Sequence, residues 1–339
     1  MNTEPAVTGH DTSGELLARL KAALVDDGVD PDHPTLAELA PYDQFHGRGL
    51  AATEELAGML SISRGDHILD VGSGIGGPAR YFADRCGCRV TGIDLTAEFC
   101  EVARHLTGLT GLDERITYEE GNALDMPFAD QAFDGAYSMN VSMNIEDKDG
   151  LYREIHRVLK PGAWLALSEL AQGPGSEVEY PTPWALTAAS SFLATRDETA
   201  ARLAAAGFSV ERLDDATEAT LASSAEGRAI VEAGGKPPHR AVGLIHGDLA
   251  PGMMKTMGGG VADGQLVPIE VICRKATIEV RLNGKLVNRA VRLQVAGGPV
   301  AIQSEEAEWH IRRWEIWPLD TFSETWAPAA KSTLSLIHI

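Results

Sequence analysis

Along the middle of the chain, short apolar runs alternate with longer stretches in which apolar residues keep helical spacing. The first run, His67-Ile68-Leu69-Asp70-Val71, ends in glycines, and Pro78 to Arg85 predicts a helix whose first turn tolerates the proline. Arg89 to Ile93 reads as the next strand, closed by Asp94, and Thr96 to Leu109 as the next helix. Strands follow at Ile116 to Glu119 and at Phe133 to Ser138, the latter entered through the turn residues Asp130 to Ala132. Leu151, Ile155, Val158 and Leu159 lie at i, i+4, i+7 and i+8, one apolar stripe of a helix. Lys160-Pro161-Gly162 stops it, because proline disfavours helical geometry in the residue before it and glycine supplies a cap. Trp164 to Ser168, Phe208 to Leu213 and Val267 to Cys273 complete the strands, with a helix around Ala200 to Ala206 before the second of these. Upstream, Thr12-Ser13-Gly14-Glu15 predicts a capping box leading into Leu16, Leu17, Leu20 and Leu24, and a second helix covers Leu50 to Leu60. Alternation of this kind predicts an α/β architecture with a doubly wound, mainly parallel sheet.

Composition narrows the function classes. An apolar fraction of 44% with 23% charged residues over 339 residues is that of a globular chain long enough for one large domain and an appendage. The formal net charge of −20 argues against nonspecific nucleic-acid binding and against anionic membranes. The N-terminal Met1-Asn2-Thr3-Glu4-Pro5 has neither the basic nor the apolar region of a signal peptide, so a cytoplasmic location is expected. Cys86-Gly87-Cys88 has no second Cys or His pair at ligand spacing, so reduced thiols rather than a metal site are expected. From Ala276 onward seven basic residues balance seven acidic ones, and four of the six tryptophans fall there. The whole negative excess therefore lies before that point, and two differently composed pieces meet near residue 275.

The glycine-rich turn Asp70-Val71-Gly72-Ser73-Gly74-Ile75-Gly76-Gly77 follows a strand and opens a helix. That is the setting of an anion or dinucleotide site, where small residues let a ligand approach backbone amides. Gly72, Gly74 and Gly77 fit G-x-G-x-x-G, and Asp94 follows seventeen residues later where a ribose carboxylate belongs. The turn alone suits a nicotinamide dehydrogenase as well as other nucleotide-cofactor enzymes. Local roles compete as well: Asp94 can serve as a helix N-cap, and Gly76 can be present for packing.

Three further stretches separate these readings: Leu69-Asp70-Val71-Gly72-Ser73-Gly74, then Gly121-Asn122-Ala123-Leu124-Asp125-Met126-Pro127-Phe128, then Arg157-Val158-Leu159-Lys160-Pro161-Gly162. Together they resemble class I S-adenosylmethionine-dependent methyltransferases, particularly the small-molecule group of ubiquinone/menaquinone and sarcosine/dimethylglycine types, over about residues 35–275. The resemblance implies a Rossmann-like seven-stranded fold over 61–275 with N-terminal lid helices over 1–60. It implies S-adenosyl-L-methionine as cofactor and a small-molecule methyl acceptor as partner, with an amine of the glycine-derivative type as first expectation and a quinol, phenol or other natural-product acceptor as the alternative. By resemblance, Asp70 and the Gly72, Ser73, Gly74 and Gly76 backbone hold the methionine end of the cofactor. Asp94 accepts the ribose hydroxyls, and Leu95 packs beside the adenine. Asn122 stands where the family usually has Asp and reaches the adenine amino group, with Ala123 and Leu124 lining the same pocket. Met139 and Asn140 lie near the sulfonium.

The segment Tyr42-Asp43-Gln44-Phe45-His46-Gly47-Arg48-Gly49 resembles a stretch that folds over the cofactor in related enzymes, which makes Gln44 and His46 contacts to cofactor or substrate. Tyr180 and Trp184, in Tyr180-Pro181-Thr182-Pro183-Trp184-Ala185, offer aromatic faces suited to a cationic amine, or equally pack the lid. If a general base is needed, His46 is the candidate; His156 reads as a helix-surface residue. In the tail, Thr277 to Leu282 alternates like a strand and Asn283-Gly284 favours a tight hairpin. Val280 to Leu319 resembles the C-terminal end of 3-keto-disaccharide hydrolase-like jelly-roll domains, a β-rich fragment over 276–320 too short to close a sandwich. Leu334 to Ile339 resembles translated sequencing-adapter read-through, so 321–339 is expected to be a disordered or artefactual end of a chimeric C-terminus. A glycan-binding role for the tail, and cofactor binding without catalysis, are the readings from other classes.

Overall fold

Why the chain folds as it does is clearest at β1 (His67–Val71), where side chains alternate between two apolar layers. Ile68 joins one buried cluster with Phe82, Val90, Tyr137 and Trp164, while Leu69 and Val71 join the other with Phe133, Leu151, Ile155 and Leu165. A strand buried on both faces belongs at the centre of a sheet covered by helices on both sides. A computed structural model of the protein describes residues 14–276, together with the backbone of two short strands, 278–282 and 285–290.

The helices before the sheet are α1 (Leu16–Asp26), α2 (Leu36–Asp43) and α3 (Leu50–Gly58). After β1 come α4 (Gly77–Cys86), β2 (Arg89–Asp94), α5 (Ala97–Leu109), β3 (Ile116–Glu120), β4 (Phe133–Met139), α6 (Lys148–Val158) and β5 (Leu159–Gln172). The remainder comprises α7 (Arg196–Ala205), β6 (Phe208–Asp215), α8 (Thr217–Glu232), α9 (Ala241–His246), α10 (Ala250–Ala262) and β7 (Leu266–Lys275). The sheet has seven strands in the order β3-β2-β1-β4-β5-β7-β6. Only β7 runs against its neighbours, β5 and β6. The expected doubly wound, mainly parallel seven-stranded sheet is therefore the observed one. Its order reverses between β1 and β4, and in open α/β sheets ligands bind beyond the carboxyl ends of the strands at such a switch point.

Three local differences from the sequence reading have physical causes. The first turn of α1 is capped from a distance: the N–H groups of Gly14 and Leu16 donate to the Glu98 carboxylate of α5 at 3.0 and 2.8 Å. Thr12 and Ser13 of the expected capping box lie outside the described residues. Leu159, placed in the helical stripe, instead turns extended (φ −80°, ψ 141°) and starts β5, which is much longer than Trp164 to Ser168. Finally, α2 and the helices α8 to α10 carry weak signals. Helix α2 does have a capping box, with Thr35 accepting from the Glu38 N–H. Helix α8 buries no residue fully, and α10 contains Gly252 and Gly258 to Gly260, which resemble a loop composition.

Helices α1 and α2 pack their leucines and Tyr42 on Phe99, Val102 and Leu106 of α5 and on Leu244 of α9. Beyond β7, strands Ile278–Leu282 (β8) and Lys285–Ala290 (β9) pair antiparallel with Leu282 opposite Lys285, the hairpin expected around Asn283-Gly284. The jelly-roll resemblance and the adapter-like end otherwise fall on 291–339, outside the described residues. Among the described residues no helix is long and apolar enough to cross a membrane.

Candidate functional site

The glycine turn leaves β1 at the switch point. Gly72 has φ +74°, and a Cβ there would lie 2.3 Å from Val141 Cγ2, so the position accepts no side chain without displacing the loop after β4. Gly76 has φ +79° and a Cβ would meet the Tyr118 hydroxyl at 2.1 Å; packing alone accounts for this glycine. Asp94, at the end of β2, accepts from the Gly74 N–H at 2.8 Å through Oδ2 and from the Thr96 N–H at 2.9 Å through Oδ1. It thus ties the glycine turn to the start of α5 while lining the cavity that opens there, so the capping role and a ligand role coexist. Burial raises its pKa.

Asp70 and Ser73 sit in a small recess of about 30 Å³ bordered by Gly72, Gly74, His46 and Met139. The Asp70 Oδ2 and the Ser73 hydroxyl are buried without a hydrogen-bond partner. Burial first, and then the neighbouring Asp94 charge, pushes the Asp70 carboxyl up to about 7 despite the opposing Tyr137 hydroxyl. A buried carboxylate with one oxygen left unpartnered is costly, and a cationic donor from a ligand relieves it.

The main cavity measures about 1110 Å³. Of the residues expected to touch the cofactor, Gly72, Gly74, Asp94, Leu95, Asn122, Ala123, Leu124 and Met139 line it; so do Asn140, His46 and Trp184 from the expected reacting end. The Asn122 amide oxygen also accepts from the Leu124 N–H at 2.8 Å, closing the turn after β3. Asn140 takes a left-handed φ of +57°. In the amide orientation that satisfies its neighbours, Nδ2 donates to Ser168 O at 3.1 Å and Oδ1 accepts from the Gly47 N–H at 3.3 Å. Its amide therefore bridges β5 to the lid segment.

Two expected contacts are placed elsewhere. Gln44 is buried behind the lid, its Oε1 accepting from the Thr53 hydroxyl at 2.7 Å and its Nε2 donating to Asp43 at 3.2 Å. Tyr180 packs partly buried in a cluster with Trp184, Met143 and Leu266 and does not line the cavity. Trp184 does line it, with its indole N–H donating to Ser191 Oγ at 2.9 Å. The two aromatic faces of an ammonium cage are not brought together there.

His46 is buried, and its Nε2 lies 3.0 Å from both Gly49 O and Thr53 Oγ1. A carbonyl only accepts, so the proton resides on Nε2. Burial, reinforced by His239 and Arg48, drives its pKa down to about 3. It is a neutral imidazole and a weak base. His156, expected on a helix surface, is instead buried against Phe208.

Sequence reasoning missed several groups. Arg80 is fully buried below the glycine turn, donating from Nη2 to Ile75 O at 2.8 Å and to Asp43. Glu169 is buried beside β4 and accepts from the Val141 N–H at 3.3 Å and from the Ser142 N–H at 3.2 Å, holding the loop that follows Asn140. Burial raises this carboxyl to about 7. Arg48, at φ +63° in the lid segment, pairs with Glu55 and with Glu270 of β7. The far wall of the cavity is contributed by Leu221 of α8, Val242 of α9, and Met254 and Met257 of α10.

Comparison with known proteins follows this geometry. Residues 69–167 match the family described as "Methyltransferase domain". "Methyltransferase GfsG" of Streptomyces halstedii is 33% identical over 161 residues, 48% of this chain and 56% of that protein. "27-O-demethylrifamycin SV methyltransferase" of Amycolatopsis mediterranei is 29% identical over 219 residues, 63% of this chain and 77% of that protein. The chain spans about half the length of the first curated relatives it matches. Among solved structures, geranyl diphosphate C-methyltransferase from Streptomyces coelicolor, in complex with S-adenosyl-L-homocysteine, superposes with a TM-score of 0.59 at 20% identity, covering 81% of this chain and 99% of that one. The fold is thus the Rossmann-like methyltransferase fold.

Proposed function

We propose that this chain transfers a methyl group from S-adenosyl-L-methionine to a bulky, predominantly apolar small molecule. The observation that carries the acceptor class is the cavity. Its volume of about 1110 Å³ is shared between the cofactor end at the glycine turn and the acceptor end, and the acceptor end is marked by its apolar wall. The cavity runs from the glycine turn and Asp94 to a wall of Met143, Trp184, Leu221, Val242, Met254 and Met257. Unbranched, polarisable methionines adapt to irregular apolar shapes.

The residues present fit the cofactor. Asp70 offers a buried carboxylate in need of a cation, and Asp94 retains acceptor capacity toward hydroxyls beside the turn. Leu95, Ala123 and Leu124 supply apolar surface for a base. When bound, S-adenosylmethionine supplies an electrophilic methyl group on a sulfonium. The chain's part is to hold donor and acceptor in line at about 3–3.5 Å and to exclude water. The lid segment 44–49 and the 141–144 loop, locked by Glu169, would do this.

The amine acceptor is implied by the family resemblance; of the two aromatic faces offered for it, Tyr180 and Trp184, only Trp184 lines the cavity. The relative named for 27-O-demethylrifamycin SV supports a large natural-product acceptor as well. The test is calorimetry with S-adenosylmethionine, followed by S-adenosylhomocysteine release across phenols, sterols, hydroxylated macrolactones and amines. Turnover confined to sarcosine-sized amines would overturn the apolar reading. No binding of S-adenosylmethionine would overturn the methyl-donor reading itself.

A further inference from the structure

The loop between α8 and α9 carries a second imidazole into the cavity. His239 Nε2 lies 2.6 Å from the carbonyl oxygen of Gln44, and its ring lies against Gly49, where an added Cβ would meet Cδ2 at 3.3 Å. Since a carbonyl oxygen only accepts, Nε2 carries the proton and Nδ1 holds the lone pair. Nδ1 has no hydrogen-bond partner among the described residues, and the residue lines the cavity together with His46. Two neighbouring imidazoles are thus fixed in the same tautomer by backbone carbonyls of one lid segment, Gly49 for His46 and Gln44 for His239.

We propose that His239 is the proton acceptor for a hydroxyl group of the methyl acceptor, which makes the reaction an O-methylation. This rests on the methyltransferase reading above. In the step, the acceptor O–H bond breaks and its proton passes to Nδ1 of His239. The oxygen lone pair forms the new bond to the methyl carbon, and the electron pair of the breaking C–S bond stays on sulfur. The imidazolium then returns its proton to solvent. His46 is too weak a base for this and serves as the hydrogen-bonded floor.

Burial lowers the His239 pKa and the Gln44 carbonyl opposes this, so the ring is neutral and able to accept at neutral pH. The titratable and charged groups about it are His46 and Arg48 of the lid, the latter neutralised by Glu55 and Glu270. On its own loop, Lys236 pairs with Asp26 and Asp27, and Arg240 with Asp27. Arg228 of α8 lines the same cavity.

Two measurements on the full chain test the assignment. First, nitrogen-15 spectra of the S-adenosylhomocysteine-loaded protein at pH 7, with His239→Gln assigning the signal, should show a neutral Nε2–H ring. An imidazolium or an Nδ1–H tautomer overturns the proposal. Second, S-adenosylhomocysteine formation is followed with catechol, 2-naphthol and estradiol, whose hydroxyls stay protonated at pH 7, as hydroxyl acceptors and with sarcosine and phosphoethanolamine as amines. His239→Gln should lower kcat on the hydroxyl acceptors at least about 100-fold, with unchanged S-adenosylmethionine affinity and partial recovery at alkaline pH, where a phenol ionises unaided. Activity within threefold of the parent, or parent turnover on none of the hydroxyl acceptors, overturns it. If the parent binds S-adenosylmethionine but methylates only amines, the His239 role falls and the methyl-donor reading stands. If it does not bind the cofactor, both fall.

Discussion

Arg80 Nη2 lies 2.9 Å from Asp43 Oδ2, a charge pair closed off from water directly beneath the glycine turn. Because the same Nη2 also donates to Ile75 O, the pair couples the end of α2 to the turn that faces the cavity. Asp43 is followed at once by Gln44, whose carbonyl anchors His239, so the pair sits at the root of the whole lid segment.

Removing one member leaves the other as an uncompensated buried charge. Arg80→Met should destabilise the protein by about 3–5 kcal/mol, and Arg80→Met with Asp43→Leu should recover much of that loss. Chemical denaturation of the three proteins measures it; a double variant no more stable than the single would contradict the pairing.

Asp70 predicts how cofactor binding responds to pH. Its folded pKa is about 7 against an ordinary 3.8, so the cofactor-free protein binds more protons than the unfolded chain between those values and loses stability as pH rises through them. A cationic ligand selects the ionised form, so S-adenosylmethionine affinity should increase from pH 6 to 8 and level off above. Asp70→Asn should melt higher than the parent at pH 8 without cofactor, bind cofactor about 10- to 100-fold more weakly, and lose the pH dependence. Calorimetry at several pH values tests all three.

Glu169 accepts two backbone N–H groups of the loop after β4. Glu169→Ala strands those donors and should cost about 1–3 kcal/mol. Its effect on turnover should exceed its effect on cofactor affinity if the loop that begins at Val141, which lines the cavity, positions the acceptor. Equal losses in both, read from kinetics and calorimetry, would count against a positioning role.

Leu221 on α8 is 37% exposed and faces the cavity without supporting the core. Leu221→Trp should raise KM for a bulky acceptor at least about tenfold while thermal stability and S-adenosylmethionine affinity stay at parent values. A change confined to kcat would place the acceptor elsewhere.

How much of this was readable in advance differs by region. Strands β1, β2, β4 and β5 are legible as short, largely buried runs bounded by glycine, proline or acidic turn residues, whereas the edge strand β3 is legible by its alternation of buried and exposed positions. Asp94, Leu95 and Ala123, singled out through the family resemblance of the stretches that contain or precede them, all line the cavity. Gln44 was misplaced because sequence position gives no side-chain direction: the lid points its backbone carbonyl, not its amide, toward the cavity side. Tyr180 stands close to Trp184 in sequence, yet the fold sends only one of the two to the wall. His239 carries no local signature at all. It acquires meaning from a bond to a residue nearly two hundred positions away, and Lys236-Pro237-Pro238 around it reads simply as a turn. Helix α10 is hidden for a different reason: it buries Met253 and Val261, but Gly252 and Gly258 to Gly260 give the segment the composition of a loop.

Strands β6 and β7 pair along their length, and the span that joins them, residues 216–265, contains α8, α9 and α10 without adding a strand. The hairpin is therefore a socket. The inserted helices meet the rest of the protein both at the cavity wall and at the N-terminal helices, where Leu244 joins the core of α1 and α2 and where Lys236 and Arg240 pair with Asp27, so they are exchangeable only together with those contacts. Exchange of this one cassette between related scaffolds should therefore change acceptor preference while leaving S-adenosylmethionine affinity at the parent value, which activity profiling and calorimetry of such chimeras measure.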